Sequence, residues 1–426
     1  MITYHIEKPL RIDASIKLPA SKSISNRALI IQALMNGGVS LENISNCDDT
    51  DVILRAMKDM PEVIDIKAAG TAMRFMTAFL SCTENGTHVL TGTNRMRHRP
   101  IKPLVDALLR LGADITYTGQ EGYPPLLIKG QALSGGYVEV PGNVSSQYIS
   151  ALLLVAPMLR GGMELHLLGD ITSRPYIDLT LCMMREFGAD ADWTSGNTVV
   201  VRPKPYEQRP YLIENDWSSA SYWYEMMALT ADADAEIVMP GLTDGSRQGD
   251  AAVRYIFSML GVKTVFKNRV TTDESGARRE KKVVVLRKNN RSVPRLDYDF
   301  VNSPDLVQTI VVTCVAKDIP FHFRGLQTLK IKETDRIKAL MQELRKVGVV
   351  IRVENGSDLV WDGERCEATF EPIDTYEDHR MAMAFAAASI RFPGLMINNP
   401  EVVTKSYPDF WEHLKQAGFT IEEIDN

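Results

Sequence analysis

Cations stand where helices begin, in both halves of this chain. In PASKSISNRALIIQALMNGG, Lys22 and Arg27 flank a helix expected to start near Ser23 to Asn26, with apolar residues from Ala28 to Met35 and a stop at Gly37 and Gly38. A helix N-terminus already carries about half a positive charge, so cations there are unfavourable unless an anion arrives; serines and free backbone N–H groups make a seat for one. AAGTAMRFMTAFL sets Gly70 and Thr71 ahead of Arg74, and RMRHRPIKPL gathers Arg95, Arg97, Arg99 and Lys102, of which one need point inward. PGNVSSQYISALLL opens a buried helix with Ser145, Ser146 and Gln147, whose hydroxyls and amide can read ligand oxygens. TYEDHRMAMAFAAASI crowds Asp378, His379 and Arg380 ahead of a helix apolar all round, and VVTKSYPDFWEHL places Lys405 before the last helix.

The acids among these cations indicate the chemistry. Taking KIKETDRIKALMQELRKVG as helical from Lys332, at about 100° per residue, Glu333 falls inside the apolar stripe of Ile337, Leu340, Met341, Leu344 and Val347. Thr334 and Asp335 point away. A buried acid between Lys332 and Arg336 is expensive unless paired or used. Asp305, in VNSPDLVQTIVVTC, likewise precedes a buried run. Two carboxylates in a cationic cleft suit proton transfer on a small molecule carrying two or more anionic groups. The sequence has no phosphate-binding P-loop, dinucleotide fingerprint or Ser-His-Asp elbow, so no nucleotide is expected.

Composition narrows the setting. The 426 residues are 45% hydrophobic and carry 48 Lys and Arg against 54 Asp and Glu, a net charge of -6. Two or three domains with real cores are expected, nucleic acid is not an expected partner, and the cationic motifs must be local. The five cysteines form no CxxC pair, which suits a reduced cytosol. The seven histidines show no metal-ligand spacing on a helix, so neither metal nor cofactor is expected. MITYHIEKPLRI lacks a signal pattern and ISALLLVAPML is too short to span a bilayer, so a cytoplasmic protein without a membrane partner is expected.

The elements that position these residues repeat. PLVDALLRLGADITY, YIDLTLCMMREFGADADW, VRYIFSMLGVKTVF, RIKALMQELRKVGVVIRV and FWEHLKQAGFTIEEI each read as an amphipathic helix, a turn and a strand; DVILRAMKDMPEVIDI is a weaker copy. β-Branched runs such as GGYVEV, MELHLLG and KVVVLRK lie between them. An α/β protein of about six similar units is expected, halved near Glu214. Cations in both halves imply that an active site between the two domains closes on its ligand.

SKSISNR, GTAMR, RHRP, SSQY, SRPYID, KETDR, DHRMAMAF and KSYPDF, in this order and spanning nearly the whole chain, resemble the 5-enolpyruvylshikimate-3-phosphate synthase family. That resemblance implies transfer of the enolpyruvyl group of phosphoenolpyruvate to the 5-hydroxyl of shikimate 3-phosphate, with release of phosphate, on the route to chorismate and aromatic amino acids. It also implies an inside-out, barrel-like α/β fold of two similar domains with three repeats each. The first strand then joins the C-terminal half, giving domains of 1–19 plus 215–426 and of 20–214; a monomer is expected.

Carried over by motif, Lys22, Ser23, Arg27, Ser145, Ser146, Gln147, Ser173, Tyr176, Asp305, Thr328 and Lys332 would hold shikimate 3-phosphate. Lys22, Gly70, Arg99, Gln147, Arg336, Arg380 and Lys405 would hold phosphoenolpyruvate. Asp305 would take the hydroxyl proton and Glu333 would protonate the methylene carbon, with Lys22 and His379 assisting. The sequence departs from the family pattern at Ala68, Phe75 and Thr328, where the family usually has Asn, Pro and Asn. Two alternatives are a UDP-N-acetylglucosamine enolpyruvyltransferase, whose loop cysteine and KSGN-like start have no counterpart here, and a non-catalytic anion-binding homologue.

Overall fold

Four sheets share one strand order, and that order explains where the buried helices lie. The computed structural model describes residues 2–35, 38, 40–84, 86–272, 278–289 and 291–425. Gly37 lies outside the described residues, whereas Gly38 has φ +90°, a backbone that glycine adopts freely. By contacts the chain separates into Met1–Pro19 with Glu214–Asn426, and Ala20–Ile213. Glu214, expected at the end of the 20–214 segment, groups with the residues after it. Its carboxylate accepts from Trp217 Nε1 at 2.9 Å, Ser246 Oγ at 2.6 Å, Gln248 Nε2 at 2.9 Å and the Thr243 amide at 2.8 Å. Donors from four residues of one unit fix that side chain to it.

In Ala20–Ile213, strand Val63–Asp65 pairs parallel with Thr87–Thr91, which pairs antiparallel with Leu126–Lys129 and through it with Asp114–Tyr117. Gly136–Pro141, Met163–Leu168, Thr198–Val201 and Ala191–Trp193 repeat the order. A two-stranded parallel pair, Leu41–Glu42 with Tyr211–Leu212, completes this unit. In the other unit the order recurs in Asp13–Ser15, Glu236–Pro240, Arg278–Lys288 and Val262–Thr272, and again in Leu296–Asp299, Phe321–Arg324, Asp358–Trp361 and Arg352–Glu354. Ile2–Glu7 lies antiparallel between Leu395–Asn398 and Thr420–Asp425, so the start of the chain closes the last sheet of this unit.

A parallel pair cannot be joined by a tight turn and needs a crossover. Here the crossovers carry the helices Gly70–Cys82, Ser146–Val155 and Val307–Ala316. Lys22–Leu34 joins the first two in the core of its unit, and Trp217–Leu229 and His379–Ala388 join the third in the other. These six are buried on nearly every face, as core helices are. Sheets whose strands alternate buried and exposed, such as Met163–Leu168, cover them, together with the amphipathic helices Lys102–Arg110, Arg174–Glu186 and Arg336–Lys346. A helix buried all round can show ligand-facing groups only near its ends, so the first turns carry the polar residues considered next. Among the described residues no helix is long and apolar enough to cross a membrane.

Candidate active site

In Ala20–Ile213 the first turns of two core helices meet where Gln147 Nε2 donates to Thr71 Oγ1 at 3.1 Å. The helix expected from Ser23 to Asn26 begins at Lys22, because Ser21 supplies the cap, its Oγ accepting from the Ile24 amide at 3.4 Å. Lys22 is therefore the first helical residue, and its ammonium pairs with Asp49 at 3.0 Å. Ser23, beside it, is half-buried.

Arg27 lies in the second turn, not at the N-terminus, and is buried. Its guanidinium donates to Thr180 Oγ1 at 2.7 Å, Ser150 Oγ at 3.0 Å, and the Ser23 and Tyr176 carbonyls at 2.8 and 3.3 Å; the Phe75 ring centre is 5.5 Å away. Burial pulls its pKa down to about 10, which still leaves it charged at neutral pH. Arg74 is likewise a second-turn residue tied to the Gly70 and Pro100 carbonyls at 3.1 and 3.0 Å, so it braces the loop rather than crowning a helix.

Of the RMRHRP cations, Arg99 turns inward. A Cβ on Gly70 would stand 2.7 Å from Arg99 Nη1, so glycine is what admits this guanidinium to the start of its helix. Lys102 instead meets Glu121 and Asp106 at the surface, and Arg95 and Arg97 are exposed. Ser145 caps Ser146–Val155 through the Gln147 amide at 3.3 Å. Ser173 is buried at φ +55° ahead of the half-buried Tyr176.

In the other unit, Asp305, Lys332, Glu333, Arg336, Arg380 and Lys405 form one ion cluster. Asp305 Oδ1 meets Arg336 at 3.1 Å and Lys332 at 3.4 Å, and its Oδ2 meets Arg380 at 2.9 Å. Glu333 bridges Arg336 at 2.9 Å and Lys405 at 3.2 Å. Arg336, 1% exposed, also pairs with Asp378 at 2.7 Å. Burial alone would raise the Asp305 pKa, but Arg380, Lys332 and Arg336 together hold it well below the usual carboxylate range. His379 is buried, with Nδ1 3.9 Å from the Asp378 carboxylate.

The wheel drawn from Lys332 does not hold. The helix begins at Arg336, because Asp335, expected to point away, caps it by accepting from the Lys338 amide at 3.2 Å. Lys332, Glu333 and Thr334 precede it, and Glu333 is turned inward by Arg336 and Lys405 rather than by helical phase. Thr328 Oγ1 is buried and has no hydrogen-bond partner among the described residues.

Sequence patterns gave no role to Asp49, Asp378 or Asp250. Asp378 caps His379–Ala388 through the Arg380 amide at 2.9 Å, and Asp250 accepts from the Ser218 hydroxyl. Burial, and next the charge of Asp305, push the Asp250 pKa to about 6. An acid in a first turn looks like an ordinary dipole partner. Only the burial of these three separates them from the exposed kind.

A family model described as EPSP synthase (3-phosphoshikimate 1-carboxyvinyltransferase) matches residues 6–64 and 57–414. A 3-phosphoshikimate 1-carboxyvinyltransferase of Bacteroides fragilis (strain YCH46) is 53% identical over 420 residues, covering 98% of both chains. One of Sulfurovum sp. (strain NBC37-1) is 35% identical over 437 residues, covering 96% of this chain and 97% of that one. Among solved structures, an EPSP synthase from Acinetobacter baumannii superposes over 100% of both chains with a TM-score of 0.76 at 22% identity, a likeness of fold.

Proposed function

The chain belongs to the EPSP synthase family, and from that premise we propose that it transfers the enolpyruvyl group of phosphoenolpyruvate to the 5-hydroxyl of shikimate 3-phosphate, as a cytoplasmic monomer, with the work divided between the two clusters. Lys22, Ser23, Arg27, Ser145, Ser146, Gln147, Ser173 and Tyr176 hold shikimate 3-phosphate, Gly70 and Arg99 contribute to the phosphoenolpyruvate seat, and Lys332, Arg336, Arg380 and Lys405 supply the remaining cations. The observation that carries the reading is a carboxylate, Asp305, held ionised by three cations within 3.4 Å, next to a second carboxylate, Glu333, bridged by two.

In this scheme Asp305 is a weak base until ligand arrives. Substrate phosphate and carboxylate groups draw on Lys332, Arg336 and Arg380, and the Asp305 proton affinity rises as its cations are shared. Asp305 then takes the 5-hydroxyl proton while the oxygen bonds to C2 of phosphoenolpyruvate. Glu333 gives a proton to C3, which becomes a methyl group on a tetrahedral intermediate. Return of a methyl proton to Glu333 reforms the double bond as the C2–O bond to phosphate breaks. The cations stabilise the negative charge throughout.

Purified protein mixed with phosphoenolpyruvate and shikimate 3-phosphate should release inorganic phosphate and yield a product of the summed mass less phosphoric acid. Release with UDP-N-acetylglucosamine in place of shikimate 3-phosphate, and none with shikimate 3-phosphate, would overturn the reading.

A further inference from the structure

Three acids occupy the first turn of the helix Asp48–Asp59: Asp48, Asp49 and Asp51. All gain from the helix dipole. Asp48 is exposed, and Asp51 pairs with Arg55 at the surface. Asp49 is different, its side chain 6% exposed and its Oδ2 3.0 Å from Lys22 Nζ. The dipole favours an exposed acid as well as a buried one, so it does not account for the desolvation that Asp49 undergoes.

The surroundings fix Asp49 relative to Lys22. Thr50 Oγ1 donates to Asn26 Oδ1 at 2.8 Å, the Ser45 amide donates to Ser25 Oγ at 3.0 Å, and the buried Cys47 thiol lies 3.4 Å from Thr50 Oγ1. The first two contacts lock the start of Asp48–Asp59 onto the helix that Lys22 begins. Lys22 needs such a partner, because its ammonium ends a flexible four-carbon stem and sits at a helix start whose dipole repels it.

We infer that Asp49 is the positioning residue of Lys22, holding its ammonium in place before the anionic substrate arrives. The inference rests on the reading of Lys22 as a substrate-contacting cation and adds a residue to it. Two effects of Asp49 oppose each other. Its charge repels an incoming phosphate, whereas the order it imposes on Lys22 is settled before binding and need not be supplied then. The second effect is the larger one, since the ammonium also neutralises the carboxylate that orients it.

The test is calorimetric binding of shikimate 3-phosphate to the full-length protein carrying Asp49→Asn, Lys22→Met, or both. Asp49→Asn should weaken binding about 10-fold, the equivalent of one lost charge-assisted contact. In the double variant the loss should match that of Lys22→Met alone to within about twofold, because Asp49 acts through Lys22. Steady-state assays of Asp49→Asn should show KM raised by a larger factor than kcat is lowered. Asp49→Glu, which keeps the charge, should recover part of the affinity and serves alone if Asp49→Asn does not fold; unaltered affinity in Asp49→Glu would then count against positioning. Tighter binding by Asp49→Asn, or losses that multiply in the double variant, would overturn the inference. Failure of the underlying reading is separate, since it would leave the wild-type protein neither binding shikimate 3-phosphate nor releasing phosphate.

Discussion

The two clusters use cations in opposite ways. In Met1–Pro19 with Glu214–Asn426, every cation of the cluster faces a carboxylate: Arg336 touches Asp305, Glu333 and Asp378, Arg380 and Lys332 touch Asp305, and Lys405 touches Glu333. In Ala20–Ile213, Arg27 is held by hydroxyls and carbonyls, while Lys22 pairs with Asp49. Neutral acceptors leave the charge of Arg27 available to a ligand. Carboxylates spend much of the cation's charge but gain proton affinity that ligands can tune. Under the proposed function this difference corresponds to a division of labour, with shikimate 3-phosphate docked mainly by one unit and proton transfer assigned to the other.

Substitutions that separate the two regions test that division. Arg336→Met should have the largest effect, because it leaves three acids without their shared cation; loss of a buried partner costs about 3–5 kcal/mol, and urea unfolding should show it. Arg27→Met should cost less, about 1–3 kcal/mol, since Ser150 and Thr180 already lie 2.9 Å apart and can satisfy each other. Equal losses would erase the distinction.

Gly70→Ala should act on binding alone. The added methyl displaces the Arg99 guanidinium, a movable group, so stability should hold while KM for phosphoenolpyruvate rises by roughly 10-fold, the worth of one weakened charge-assisted contact. An unchanged KM would remove Arg99 from the donor's seat.

The effect furthest from either cluster concerns Glu225, fully buried in Trp217–Leu229. Burial pushes its carboxyl well above the usual range, with the Thr313 hydroxyl only partly offsetting it. A raised acid pKa favours folding fully below about pH 4.5, the unfolded value, and that contribution is lost as pH rises toward the folded pKa. Glu225→Gln, which cannot ionise, should therefore gain stability over the wild type at pH 8 relative to pH 4. Unfolding curves that shift equally at both pH values would show that the burial, not the titration, matters.

The repeating helix–turn–strand segments were legible because amphipathic helices and alternating strands leave a periodic trace. RIKALMQELRKVGVVIRV and YIDLTLCMMREFGADADW form the helices and strands that their patterns suggest. The core helices could be recognised as buried but not phased, since a helix apolar all round has no preferred face. That limit misplaced Arg27 and Arg74, which lie one turn deeper than expected. Glu333 was drawn into a helix for a different reason, since the apolar stripe of an amphipathic helix does not mark where the helix begins, and Asp335 caps it only after Glu333. Asp49 escaped because its partner is 27 residues away, and a long-range ion pair leaves no local pattern.

The most direct test places one variant from each unit side by side. Glu333→Gln and Arg27→Met are to be measured for shikimate 3-phosphate affinity by calorimetry and for turnover at saturating substrate. Division of labour predicts that Glu333→Gln keeps its affinity and loses turnover by roughly 10²-fold or more, the range of a lost acid–base group, whereas Arg27→Met loses affinity by the larger factor. Unchanged turnover in Glu333→Gln, or matching losses of affinity and turnover in both variants, would contradict the account.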